Sequence, residues 1–426
     1  MGHHHCAAAR RPEGDPMRKA FPLTGTASRR RHGSAAGLVL LALAATGCRS
    51  DEVTASTADR VVASPVPVAG DLRLAQLSAG LLHSCGIDPT GLAWCWGSNR
   101  HRQLGVEPSP VQCEGQGCAR SPVRAAGAMR FRAIGAGATH SCAITIDGRT
   151  VCWGGGPPSQ PTLLGDGATV ESAAPVTVDA GVPFAQLAVG GTHSCALTVD
   201  GAAWCWGRND SGQLGDGTTV ARGRPVRVDT DDRFMAIAAG QQHSCAITVD
   251  GAARCWGSNV WGQLGAGDVE NQDNGVRSVR PVAVQTTARW RAIAAGGEHS
   301  CALALDGLAW CWGRNDNARQ LGDASQVRLR SRPGAVLPRR PYEAITLGAT
   351  GACGRMESGT VWCWGGNFLG ELGNGRSNSW GEPMPTLTLG GPVAQMSLGG
   401  SHGCGIAAGG TVRCWGDARF GQVGHR

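Results

Sequence analysis

The side chains that could do chemistry in this 426-residue chain come in repeated sets. His193–Trp206, HSCALTVDGAAWCW, combines a histidine, two cysteines ten positions apart and two tryptophans. The same cysteine spacing recurs as Cys85/Cys95, Cys142/Cys152, Cys195/Cys205, Cys245/Cys255, Cys301/Cys311, Cys353/Cys363 and Cys404/Cys414. A histidine stands two residues before the first cysteine at His83, His140, His193, His243, His299 and His402, and Gly351 takes that place once. Such residues can ligate zinc, exchange disulfides or staple a structure. Zinc needs four ligands about 2 Å from one ion, and its cysteines usually lie closer in sequence. Equivalent positions on successive units do not converge on one ion. The histidines therefore read as structural hydrogen-bonders inside each unit, and no metal or other cofactor is expected. The chain shows no nucleophile elbow, phosphate loop or zinc-protease motif, and the aspartates of its recurring Asp-Gly pairs are turn formers.

The elements that position these residues follow from the period. The first cysteines fall at 85, 142, 195, 245, 301, 353 and 404, in steps of 57, 53, 50, 56, 52 and 51. A period near 50 is that of a propeller blade. In the third unit Cys195–Val199 reads as a short strand, Asp200-Gly201 as a turn and Ala202–Trp206 as the return strand. If Cys195 lies opposite Cys205, Thr198 faces Ala202 across a three-residue loop that needs glycine in the left-handed conformation. Gly201 is there, with Gly91, Gly148, Gly251, Gly307, Gly359 and Gly410 in the matching places. Counting outward makes the cysteines a non-hydrogen-bonded pair, with Cα atoms roughly 4.5–5.5 Å apart. That is within disulfide reach.

Each hairpin leads into Trp-Gly, then a turn often reading Gln-Leu-Gly, as at Gln213-Leu214-Gly215, then a Pro-Val strand suited to a sheet edge. An apolar stretch ending in glycine, such as Phe234–Gly240, precedes the next hairpin, giving about four strands per unit. The last unit stops at Gly424 without a Pro-Val strand, while Ser64–Val68 supplies one at the other end. Val66–Val68 is therefore expected to complete the blade of the last hairpin and close the ring.

Residues 1–16 read as unstructured or untranslated. Residues 17–47 read as an export signal, with basic Arg18, Lys19 and Arg29–Arg31 before the apolar Ala35–Ala45. The ending Ala45-Thr46-Gly47-Cys48 resembles the bacterial lipoprotein signal, which implies lipid attachment at Cys48. Residues 48–64 then form a tether, and 65–426 hold the repeats. In an exported chain the seven cysteine pairs read as cross-strand disulfides, against a competing reading as zinc sites or free thiols. Cys113 and Cys118, inside the long loop Val106–Arg120, read as an eighth, local bond.

The repeat resembles that of the regulator of chromosome condensation, with its Gly-x-x-His-Ser-x-Ala-Leu, Asp-Gly, Trp-Gly and Gly-Gln-Leu-Gly signatures. The resemblance covers about Pro65–Arg426. It implies an all-β, seven-bladed β-propeller, and the added cysteines look like an exported bacterial form. The family's nuclear exchange activity is not carried over.

Of the net charge of +7, seven basic and two acidic residues before Cys48 contribute +5, which leaves +2 for the rest. A near-neutral propeller is poor evidence for nucleic-acid binding. The Trp of each Cys-Trp-Gly reads as inter-blade packing, and Trp94, Trp204, Trp310 and Trp362 as structural. Trp261, Trp290 and Trp380 break the repeat, and Trp261 and Trp380 lie near loops, which makes them binding candidates. The second long loop, Ala266–Arg280, adds Asp268, Glu270 and Asp273, whose spacing is not that of an EF-hand. Both long loops should leave the same face, where function tends to sit. The expected protein is a monomeric, non-enzymatic lipoprotein of the bacterial outer membrane. Its propeller binds a protein or an envelope polymer, and its membrane contact is the lipid anchor alone. The alternative is an envelope hydrolase or lyase, acting on polysaccharide or a small molecule at the central mouth.

Overall fold

The computed structural model describes residues 60–107, 111–156, 163–267, 276–316, 318–377, 380–386 and 389–425. Their strands form seven antiparallel sheets, six of four strands and one of five. In the third blade the strands are Gln186–Val189, His193–Leu197, Ala203–Gly207 and Arg222–Arg227, from the axis outward. The register is the one the cysteine spacing predicts: Cys195 opposes Cys205, Ala196 opposes Trp204 and Leu197 opposes Ala203. Thr198 N–H donates to the Ala202 carbonyl at 3.0 Å and Gly201 N–H to the Thr198 carbonyl at 3.0 Å. Gly201 has φ +82°, the left-handed value the loop requires.

Cys195 and Cys205 are bonded across this register pair, with their Cα atoms 4.1 Å apart. The other blades repeat the bond at the equivalent register position, as Cys85–Cys95, Cys142–Cys152, Cys245–Cys255, Cys301–Cys311, Cys353–Cys363 and Cys404–Cys414. Each pair is therefore a disulfide, not a zinc site or two free thiols. One detail of the expectation is corrected. The Cα separations of the blade bonds are 4.0–4.1 Å, closer than the roughly 4.5–5.5 Å expected from register alone. The cysteines occupy the non-hydrogen-bonded place of the register, where antiparallel backbones approach most closely. The result is an all-β, seven-bladed propeller with one cross-strand disulfide per blade.

The ring closes as the chain ends imply. Val61–Pro67 forms the outer strand of the seventh blade, beside Val412–Asp417, with Val66 opposite Cys414. That strand starts at Val61, so residues 61–64, read as tether, belong to the sheet. In the first blade Gln112–Cys113 pairs with the start of Gln116–Arg124, and the turn between them has Glu114 and Gly115 at φ +48° and +73°. The bond between Cys113 and Cys118 spans this small hairpin.

The core lies between blades. The Trp of each Cys-Trp-Gly is fully buried, and its indole N–H donates to a carbonyl of the preceding blade. Trp256, for example, donates to Gln213 at 2.9 Å. Its ring packs on Phe234 at 6.2 Å, above the disulfide of the third blade. Phe131, Phe184 and Tyr342 repeat the Phe234 contact, and so does Trp290 against Trp312, so Trp290 is a core residue that merely looked like a break in the repeat. Near the axis, backbone bonds run round the ring, among them Leu81 N–H to the Gly137 carbonyl at 3.0 Å and Gly400 N–H to the Gly80 carbonyl at 3.1 Å.

The histidines correct another expectation. Their bonds run between blades rather than inside them. His83 Nε2 lies 2.9 Å from Ser141 Oγ, His140 2.9 Å from Ser194, His193 2.7 Å from Ser244, His243 2.9 Å from Ser300 and His402 2.8 Å from Ser84. The dipeptides that begin at His83, His140, His193 and His243 thus each serve two seams, the histidine reaching forward and the serine back.

Candidate binding site on the loop face

Strand alternation sorts the connections into two ends. The Asp-Gly hairpins lie at the same end as the links to the next blade, as the bond from Phe234 N–H to the Gly201 carbonyl shows at 2.8 Å. The turns after the innermost strands and the loops after the third strands lie at the other end, joined for instance by Ser258 N–H to the Gln242 carbonyl at 2.8 Å. Both long loops start from this second end, at Asn99 and Asn259, so the expectation of a shared face holds for the described part of each.

Trp261 sits in the fourth blade's loop on this face, and the sequence around it fixes its backbone. Asn259 Oδ1 accepts the Leu264 N–H at 3.1 Å, Gln263 Oε1 accepts the Trp261 N–H at 2.9 Å, and Gly262 closes the turn at φ +74°. The ring is held from the neighbouring blade: the guanidinium of Arg314 lies 4.4 Å from its centroid. Arg314 is itself clamped, with Nε donating to Asp316 at 2.6 Å and a second nitrogen bonded to Glu298. Asp316 above all holds the guanidinium pKa above its ordinary value, Glu298 adding to it while burial opposes. Trp261 is half-buried, and a cation over a ring still open to solvent is worth about 0.5–1 kcal/mol. The larger effect is orientation, since the ring is presented in one pose before anything binds. Val220, Val260, Val276, Val327 and Phe368 are exposed on loops of the same face, from the third blade to the sixth.

Trp380 begins the outer strand of the sixth blade opposite Gly365, so its backbone is in the sheet rather than in a loop. Asp268, Glu270, Asp273 and Cys48 lie outside the described residues. Among the described residues no group of three or more His, Cys, Asp or Glu is placed to hold a metal ion. The six histidines of the repeat are buried and held neutral. Burial lowers the pKa of His83, His193 and His299 to about 3 and that of His140, His243 and His402 to about 4. The axial cavity at the mouth formed by the turns after the innermost strands is lined by glycine, alanine, valine and leucine with Gln241, with no acid or base among those residues. Sequence reasoning missed Arg314 and Arg319. A signal existed for Arg319, because the Gly-Gln-Leu-Gly signature reads Arg-Gln-Leu-Gly at residues 319–322.

Comparison with known proteins places this architecture. Residues 160–426 match the RCC1-like domain, and residues 90–144 and 75–103 match the regulator of chromosome condensation (RCC1) repeat. The ultraviolet-B receptor UVR8 of Arabidopsis thaliana is 31% identical over 380 residues, which cover 86% of this chain and 69% of the receptor. The human probable ubiquitin ligase HERC6 is 31% identical over 147 residues, 34% of this chain and 14% of that protein. The crystal structure of Prp20p from Saccharomyces cerevisiae, studied for its binding to Gsp1p and histones, has a TM-score of 0.66 at 21% identity, over 80% of this chain and 81% of that one.

These matches overturn the expectation of an exported bacterial lipoprotein. The relatives are plant, human and yeast proteins, and the partners named for the yeast structure are proteins rather than a membrane or an envelope polymer. The signal-peptide and lipid-anchor reading at Cys48, the outer-membrane location, the envelope partner and the envelope-enzyme alternative are withdrawn with it. The physical reason is the scale of the two signals. The pattern Ala45–Cys48 is four residues with alanine where the signal usually has leucine, whereas the repeat recurs across seven blades. Read by its repeat, its fold and its relatives, the chain belongs to the RCC1-like domain family of seven-bladed propellers.

Proposed function

We propose that this protein is a non-enzymatic scaffold that binds a protein partner on its loop face, with Trp261 as the anchor. The observation that carries the reading is the clamped indole: Arg314 of the next blade holds one side of the ring, and exposed valines and Phe368 sit on the surrounding loops. A rigid aromatic ringed by apolar contacts is the usual core of a protein-binding patch. Prp20p supports the use of such a propeller as a protein-binding body, but its own partners are not transferred.

The test uses a photo-crosslinking residue at Val260, on the loop face, or at Val199, on the opposite hairpin face. The expected result is one protein captured from Val260, absent from Val199, and lost when Trp261→Ala is added. Equal capture from both faces, or capture indifferent to Trp261→Ala, would overturn the assignment of the face.

A further inference from the structure

We propose that the pocket beside Trp261 receives a carboxylate-bearing segment of the protein partner, with Arg319 and Arg328 as its cationic walls. This rests on the loop-face reading above and adds the partner's chemistry. The pocket, of about 410 Å3, lies in the fifth blade and is formed by Asn315, Asp316, Arg319, Ser325, Gln326 and Arg328. Buried Asn315 builds its floor, accepting the Leu321 N–H at 3.0 Å and donating to Ser325 Oγ at 3.2 Å and to the Val327 carbonyl at 3.1 Å. Asp316 on its wall is the carboxylate that clamps Arg314 over Trp261, so the ring and the pocket share one ion pair.

Two observations point to an acidic occupant. The first is charge. Arg314 is matched by Asp316 and Glu298, whereas neither Arg319 nor Arg328 has a side-chain hydrogen bond or ion pair among the described residues. Three guanidiniums against two carboxylates leave the cluster at +1. The second is backbone strain. Arg319 has φ +52°, in a turn position that Gly212, Gly262, Gly370 and Gly421 occupy at φ +75°, +74°, +78° and +80° in other blades. A side chain is disfavoured in that conformation. Arg102, the other non-glycine at this place among the described residues, has φ +58° and makes an ion pair with Glu171 at 3.2 Å. Arg319 accepts the same strain with no side-chain pair among the described residues, and strain of this kind concentrates at binding sites. A guanidinium fork suits a carboxylate in both charge and shape.

The test measures fluorescence anisotropy with three labelled peptides of equal length: a central phenylalanine flanked by glutamates, by glutamines or by lysines. The glutamate peptide should bind about tenfold more tightly than the glutamine peptide, with a preference that fades as salt rises. The double variant Arg319→Gln/Arg328→Gln should bind the two alike. Arg319→Gly should lose most of the preference while melting no lower than the parent, a combination that a merely structural arginine would not give. The proposal is overturned if glutamate and glutamine peptides bind the parent equally, if the double variant keeps the preference, or if the glutamate peptide fails to bind at about 1 mM. Loss of acid preference with Trp261→Ala still weakening every peptide would sink this inference and leave the loop-face reading standing. The opposite pattern, with Trp261→Ala without effect on any peptide, would sink the loop-face reading.

Discussion

Five seams of this propeller carry a histidine–serine bond, and the two that flank the sixth blade do not. At the seam between the fifth and sixth blades His299 is present, but Ala352 stands where the others have serine. Neither ring nitrogen of His299 has a hydrogen-bond partner of good geometry among the described residues. At the next seam both partners are missing, Gly351 replacing the histidine and Gly403 the serine. The bonded seams show what is lost. Ser141, Ser244 and Ser300 donate their hydroxyls to the carbonyls of Gln103, Gln213 and Gln263, at 2.9–3.0 Å. Their oxygens are then left to accept, so the histidine holds its proton on Nε2 and donates it across the seam. The sixth blade keeps the other ties. Trp364 donates to the Gln320 carbonyl at 3.1 Å and Trp415 to the Glu371 carbonyl at 2.6 Å, and the axial backbone bonds remain. The difference is therefore a local deficit in an otherwise uniform ring. It predicts that stability is spread unevenly, with the sixth blade at the low end.

The largest test of this contrast is acid. Burial holds the folded histidines at about 3 or 4, below their ordinary 6.5. The unfolded chain therefore binds protons first as pH falls. Stability is complete above about pH 6.5 and drops towards the folded values, by up to about 1.4 kcal/mol per histidine per pH unit. The urea midpoint should fall steeply between pH 6.5 and 4, and a flat profile across that window would mean that the rings are not buried neutral. Next in size is the removal of one partner. Ser194→Ala leaves the buried His140 Nε2 without its partner and should cost about 1–3 kcal/mol in chemical denaturation. The single variant His140→Phe adds bulk as well, so the double variant is needed to isolate the bond. A cost for Ser194→Ala below about 0.5 kcal/mol would make the five seams no different from the two.

Reduction should act more evenly. Each of the eight disulfides among the described residues closes a short loop, ten residues apart in sequence for the blade bonds and five for Cys113–Cys118. A short loop is worth about 2–3 kcal/mol at most. The sixth blade keeps its bond, Cys353–Cys363, so the deficit at its seams has no counterpart inside the blade. Intact mass under denaturing conditions should rise by about two hydrogens per bond on reduction. Unchanged mass would mean free thiols throughout and no contribution to either kind of seam.

The hairpins and the ring closure were legible because their determinants are local or periodic. Two cysteines ten apart around Asp-Gly admit one hairpin register, and a missing last strand beside a spare first one admits one closure. The seam bonds were not legible from one unit, since His193 and Ser194 are adjacent in sequence yet bond to different blades. The signal lies in paired losses: the unit without its histidine, at Gly351, precedes the unit without its serine, at Gly403. Trp290 misled because its aromatic neighbours in other blades are phenylalanine or tyrosine, which hides one packing position behind three residue types. Trp261 was singled out as a break in the pattern, but its clamp by Arg314 depends on contact between loops of two blades, which no periodicity encodes.

The smallest expected effect is also the most direct test of the deficit. Ala352 is fully buried and its backbone occupies the same register place as Ser300, opposite the Trp of its own blade. Ala352→Ser would place a hydroxyl where His299 has none to meet, with the Gln320 carbonyl positioned to take its proton as Gln263 does for Ser300. The gain should be about 0.5–1.5 kcal/mol in chemical denaturation, because a buried donor acquires an acceptor without a new unpaired group. Hydrogen exchange gives the finer readout. In the parent, the amides of Gly351–Arg355 and Val361–Gly365 should exchange faster than their equivalents His193–Leu197 and Ala203–Gly207. The serine variant should slow the first pair of strands and leave the second unchanged. If instead the sixth blade already exchanges as slowly as the third, the backbone and indole bonds alone hold each seam, and the histidine–serine bonds serve only to satisfy buried polar atoms.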